Sequence, residues 1–141
     1  MELNWKFFAL SSAFFAALTA IFGKMGVAKI NSDLATLIRT VIIVLILSLL
    51  VTVRAEWEPI DKLPLRSVLF LICSAAATGA SWVCYYRALQ LGPASSVAPL
   101  DKLSVVLVMI FAFAFLGEPL GWKTIVGGSL IAAGSLLIAL A

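Results

Sequence analysis

Histidine is absent from the chain, and charge is scarce: only 12% of its 141 residues are Asp, Glu, Lys or Arg. Without histidine there is no Ser-His-Asp triad, no Cys-His pair and no His-ligated zinc. Soluble domains carry about 25% charged and about 45–50% apolar residues. Here 63% are hydrophobic and mean hydropathy is +1.14. A chain this short has too little interior to hide that much apolar surface, so a soluble globular protein is excluded. Cysteine is equally sparse. Cys73 and Cys84 are about 16 Å apart along a helix rising about 1.5 Å per residue. A disulfide needs Cα atoms within about 7 Å, so they cannot pair with each other, and small buried apolar residues are expected. The net charge of +3, from 10 basic and 7 acidic residues, suits anionic lipid and gives no sign of nucleic-acid binding.

What the chain does have is five apolar runs, at about 4–22, 34–53, 65–89, 94–116 and 121–140. About 20 helical residues cross a hydrocarbon core of about 30 Å. A helix satisfies its own backbone in lipid, and the runs are too long for barrel strands. An all-α integral membrane protein of five transmembrane helices is expected, as one membrane domain over 1–141. Asn31-Ser32-Asp33 offers an N-cap for the second helix. Gly92-Pro93 and Gly117-Glu118-Pro119 punctuate the fourth, glycine closing one helix and proline opening the next. Trp5 and Trp122 stand at helix starts, suited to the membrane interface. The first run ends in Ile21-Phe22-Gly23-Lys24 with no small-x-small cleavage site, so a retained helix is expected rather than a signal peptide.

Positive charge is nearly balanced between the two sides. Lys6, Arg54, Lys62, Arg66 and Lys123 fall on the side of the N-terminus; Lys24, Lys29 and Arg87 fall on the other, joined by Arg39 if it reaches its helix end. Positive residues mark the cytoplasmic side, so an internal N-terminus is mildly favoured, and so small a margin allows both orientations.

A charge at the bilayer centre costs about 2.5–3.5 kcal/mol, which singles out Arg39, Asp101 and Lys102 within the runs. Arg39 shares a polar row with Asp33, Thr36 and Thr40. It either snorkels to the interface or faces the bundle interior as an anion contact or charge partner. Asp101 and Lys102 follow Pro99. Neighbours diverge by about 100° around a helix, so these two are not expected to pair on their own helix. A partner such as Arg39 or a second copy is expected instead. They are either a structural ion pair or a coupling and substrate site.

Ser74, Thr78, Ser81, Trp82 and Tyr85 keep to one face of the third helix. That stripe suits either a substrate-binding wall or interhelical hydrogen bonding with aromatic packing. Small residues, Cys73, Ala76, Ala80 and Cys84, fill the opposite side. Ser12, Ala16 and Ala20 make a small ladder on the first helix. Gly127, Gly128, Ala132 and Gly134 on the fifth form a face for packing or dimerisation. No Walker lysine follows these glycines, so they are no nucleotide loop. No metal set, cofactor motif or catalytic pair appears, and an enzyme is not expected.

The run from Tyr85 through Leu100, then Phe115-Leu116-Gly117-Glu118-Pro119-Leu120, then Gly127-Gly128 to Gly134 resembles an EamA domain of the drug/metabolite transporter superfamily. Lys24 and Arg39 extend the resemblance over essentially the whole chain. It implies a transporter of small organic metabolites or drugs in a bacterial inner membrane, of the small five-helix, single-repeat type. Larger members resemble two such units fused into ten helices. The four-helix multidrug relatives carry a proton-binding glutamate in helix 1. That helix here has only Ser11, Ser12 and Thr19, which leaves Asp101 as the nearest replacement.

Transporters place their site near the midplane between inverted repeats. Five is odd, so a second copy inserted upside down supplies the repeat. An antiparallel homodimer, or a pair with a second small subunit, is therefore expected. Its cavity would be lined by helix 3 and the first half of helix 4. A non-transporting scaffold or assembly subunit and a pore remain as rival classes.

Overall fold

The computed structural model describes residues 4–140. Five segments are helical, long and apolar enough to cross a membrane: Trp5–Gly26, Ser32–Val53, Leu65–Leu91, Ala94–Leu116 and Trp122–Ala139. No strand occurs among the described residues. The protein is an all-α, multi-pass membrane protein. The first three spans are single helices, α1 (Trp5–Gly26), α2 (Ser32–Val53) and α3 (Leu65–Leu91). The fourth is composite: α4 (Ala94–Asp101), α5 (Leu103–Phe111) and a π-helical turn at Ala112–Leu116. The fifth is α6 (Trp122–Ala139).

The ends of these elements follow local chemistry. Asn31 caps α2 as its type suggests, its side-chain oxygen accepting from the backbone N–H of Asp33 at 2.8 Å and of Leu34 at 3.3 Å. Asp33 adds negative charge to the first turn, where the helix dipole favours it. Gly117 closes the fourth span in the left-handed region, at φ 67°, and the N–H of Glu118 reaches back to Ala112 O at 3.2 Å. The same device ends α2, without glycine. Ala55 sits at φ 53°, its N–H bonded to Thr52 O at 3.1 Å while that of Glu56 bonds to Val51 O at 3.0 Å. That paired arrangement is a Schellman cap. A short 3-10 turn at Ile60–Lys62 follows before α3.

Two boundaries differ from the sequence expectation. Helix α1 continues through Gly23 to Gly26 because Gly23 is a packing position rather than a stop. The fourth span is interrupted at Lys102, whose N–H bonds to Pro99 O at 3.0 Å. Pro99, three residues earlier, lies inside α4, which stays helical through Asp101.

The chain resolves into two compact units. One is Gly23–Gln90, where Gly23, Val27, Ser32, Thr36, Tyr86 and Leu89 are buried. The other holds the chain through Phe22 and again from Leu91 onward. Within it α6 packs on α4 and α5, with Gly128 and Ser135 of α6 buried. Most large apolar side chains, such as Leu45 and Leu49 on α2, are exposed. In a bilayer, lipid tails take the place of a core around such side chains. Cys73 and Cys84 follow the same rule: both are free and exposed, not buried as expected. Their apolar character suits a lipid-facing or partner-facing helix surface equally well.

Candidate functional site

Within the Gly23–Gln90 unit, a charge from α2 is held on aromatic faces from α3. The Arg39 guanidinium lies 3.9 Å from the Trp82 ring centroid and 5.5 Å from that of Tyr86. Trp82 and Tyr86 are one helical turn apart, so both rings face the same neighbour. Tyr86 is buried, while Arg39 and Trp82 are half-buried. Cation–π attraction is worth about 0.5–2 kcal/mol, more when desolvated, and offsets part of the cost of a charge inside an apolar span.

Helix α1 braces this cluster. A Cβ at Gly23 would stand 3.3 Å from Tyr86 Oη and 3.4 Å from Leu89 Cδ1, so glycine lets the tyrosine ring seat closely against α1. The next residue, Lys24, donates from Nζ to Leu89 O at 2.6 Å, a carbonyl in the last turn of α3 where intrahelical donors run out. Gln90 Nε2 donates to Ile30 O at 3.1 Å and Val27 O at 3.4 Å, and Arg87 holds the other end of that amide at 2.7 Å. Val27 and Leu89, between these bonds, are fully buried. The ends of α1 and α3 therefore satisfy each other's backbone, which fixes the height of Trp82 and Tyr86.

The expected stripe on α3 is only partly engaged. Trp82 meets Arg39, and Tyr85 is half-buried, its ring centroid 6.4 Å from that of Tyr86. Ser74, Thr78 and Ser81 are exposed, and the Thr78 hydroxyl donates to Ser74 O at 2.9 Å within its own helix. Arg39 thus packs at the margin of the stripe rather than at its centre. Tyr86, which the stripe omits, is the second ring of the cluster. Its four-residue spacing from Trp82 was the available signal.

Asp101 and Lys102 correct the expectation that neighbours on one helix cannot pair. Lys102 Nζ is 3.7 Å from Asp101 Oδ2, with both side chains exposed. The pair sits at the joint between α4 and α5. The small residues of α6 also divide. A Cβ at Gly128 would come within 2.7 Å of Met109 Cε, so this glycine lets α5 and α6 approach. Gly127 and Gly134 have no such neighbour within 4 Å, and Ala132 is half-buried. No group of three or more His, Cys, Asp or Glu that could hold a metal occurs among the described residues.

Residues 3–140 match the EamA-like transporter family. A Sinorhizobium sp protein, described as an uncharacterized transporter in the cobO 3' region, is 55% identical over 139 residues, covering 99% of each chain. No solved structure matches.

Proposed function

The chain belongs to the EamA-like transporter family, and from that premise we propose that it carries small organic metabolites or drugs by alternating access. The observation that supports a carrier most is Arg39, a charge held on Trp82 inside an apolar span. Ionisable groups kept at such a cost usually serve a pathway or a substrate. In this reading Arg39, Trp82 and Tyr86 contact substrate directly. Tyr85, Ser81, Thr78 and Ser74 continue along α3 as its wall.

Two oppositely inserted copies make the working unit, in a bacterial inner membrane. Five spans place the two ends of the chain on opposite sides, so an inverted second copy supplies the repeat that alternating access needs. The open positions Gly127 and Gly134, seven residues apart on α6, suit close approach of a second copy.

The test is flux in proteoliposomes across a panel of organic anions, cations and zwitterions. A carrier gives saturable uptake with counterflow for at least one of them, sharply reduced in Trp82→Ala. Linear, unsaturating flux would make it a pore, and no flux for any compound would leave a scaffold.

A further inference from the structure

We propose that Arg39 is an oxyanion-binding residue, its guanidinium held flat by Trp82 and Tyr86 so that its N–H edge takes a carboxylate or phosphate group. As a binding site this stands on its own geometry; that the bound group is cargo rests on the transport reading above.

Arginine carries five N–H donors in a planar fork, with no acceptor of its own. Ring stacking uses the flat faces of that fork and leaves the donors at its edge, where carboxylate and phosphate bind two at a time. Among the described residues Arg39 contacts the two rings and has neither a carboxylate partner nor a hydrogen-bond acceptor. No buried side-chain nitrogen or oxygen among them lacks a partner, so the unpaired guanidinium nitrogens are reachable from outside the chain.

The neighbouring hydroxyls form their hydrogen bonds along their own helix. Thr36 donates to Ser32 O and Thr40 to Thr36 O, each at 2.8 Å along α2. A positive charge lies inside an apolar span, stacked in place, with its hydrogen-bonding edge unused. An anion is the ligand that completes it. A cationic solute fits less well, because the aromatic faces that would receive it already carry a cation.

Arg39 lies seven residues past Ser32, about 10 Å along the helix. At that depth the oxyanion can come from a dissolved solute or from a lipid headgroup, and the experiment separates the two. Phe replaces Trp5, Trp57 and Trp122, leaving Trp82 as the reporter among the four tryptophans. The protein in phosphatidylcholine nanodiscs is titrated with acetate and with inorganic phosphate, using chloride at equal ionic strength as control.

The expected result is a saturable change in Trp82 emission, weakened at least tenfold in Arg39→Lys and absent in Arg39→Gln. An Arg39-dependent shift seen only when phosphatidylglycerol is built into the nanodisc assigns the oxyanion to lipid. The proposal is overturned if neither soluble anions nor phosphatidylglycerol move the emission, or if Arg39→Gln titrates like its parent. Should Arg39→Gln fail to fold, Arg39→Lys decides alone, and unchanged affinity overturns it. Flux is measured separately. Binding without flux removes the carrier and keeps the site, while Arg39-dependent binding with flux indifferent to Arg39→Gln keeps both and removes the claim that the bound group is cargo.

Discussion

The guanidinium of Arg39 and the indole of Trp82 lie 3.9 Å apart, joining the second and third spans by a charge on an aromatic face. A snorkelling arginine points along its own helix toward water. This one turns sideways onto the next helix, so its charge stays at a set depth. Gly23 beneath Tyr86 and the Lys24–Leu89 bond hold the aromatic side of the pair. Three helices thus contribute to where a single charge rests.

Removing the indole should release that charge. Trp82→Ala is expected to lower the rate of substrate uptake roughly tenfold or more, about 1.4 kcal/mol or above, in line with a lost cation–π contact. Trp82→Phe keeps a ring and should retain an intermediate rate. Uptake in proteoliposomes, normalised to reconstituted protein, reads both. Equal rates in the parent and the alanine variant would take Trp82 out of the site.

Lys24 is expected to act through the fold. Lys24→Met keeps the stem, removes the donor to Leu89 O and leaves a last-turn carbonyl short of a partner. Hydrogen bonds to charged groups contribute about 1.5–3 kcal/mol, and unfolding in an SDS titration should move by that order. A variant as stable as its parent would show that the α1–α3 closure rests on packing alone.

Ala55 offers the opposite change. An alanine in the left-handed region is strained by about 1–2 kcal/mol, a strain glycine avoids. Glycine gains more freedom when unfolded, which cancels part of the benefit. Ala55→Gly should stabilise by about 0.5–1 kcal/mol, and Ala55→Val should destabilise. Thermal unfolding in detergent checks the sign.

The glycines of α6 should separate by role. Gly128→Leu drives a side chain into Met109 and is expected to destabilise the folded chain by about 1–3 kcal/mol, as overpacking does. Gly127→Leu and Gly134→Leu meet open space and should leave that stability unchanged while weakening dimers. Unfolding titrations alongside crosslinking in native membranes distinguish these outcomes.

The spans were legible in the sequence because crossing a bilayer demands only length and apolarity, and 4–22 through 121–140 have both. Asn31 and Gly117 were legible because their chemistry suits one task each. Ala55 was not, since alanine gives no hint of left-handed backbone; the ladder of carbonyls at the end of α2 imposes it. The aromatic partners of Arg39 were half legible. Trp82 stood out on the stripe, but choosing Tyr85 over Tyr86 turned on about 100° of helical phase, which only the packing of α2 and α1 decides. The Asp101–Lys102 pair escaped because it depends on a joint after Pro99, where the regular geometry behind the expectation no longer holds.

The central claim, a carrier assembled from oppositely inserted copies, is tested most directly by the side on which residue 141 lies. Paired C-terminal reporters, one active only inside the cell and one only outside, read it in intact cells. Comparable activity from both is the predicted result, matching the near-equal positive charge on the two sides. Activity from one reporter alone would contradict the account, because copies of a single orientation cannot supply an inverted repeat.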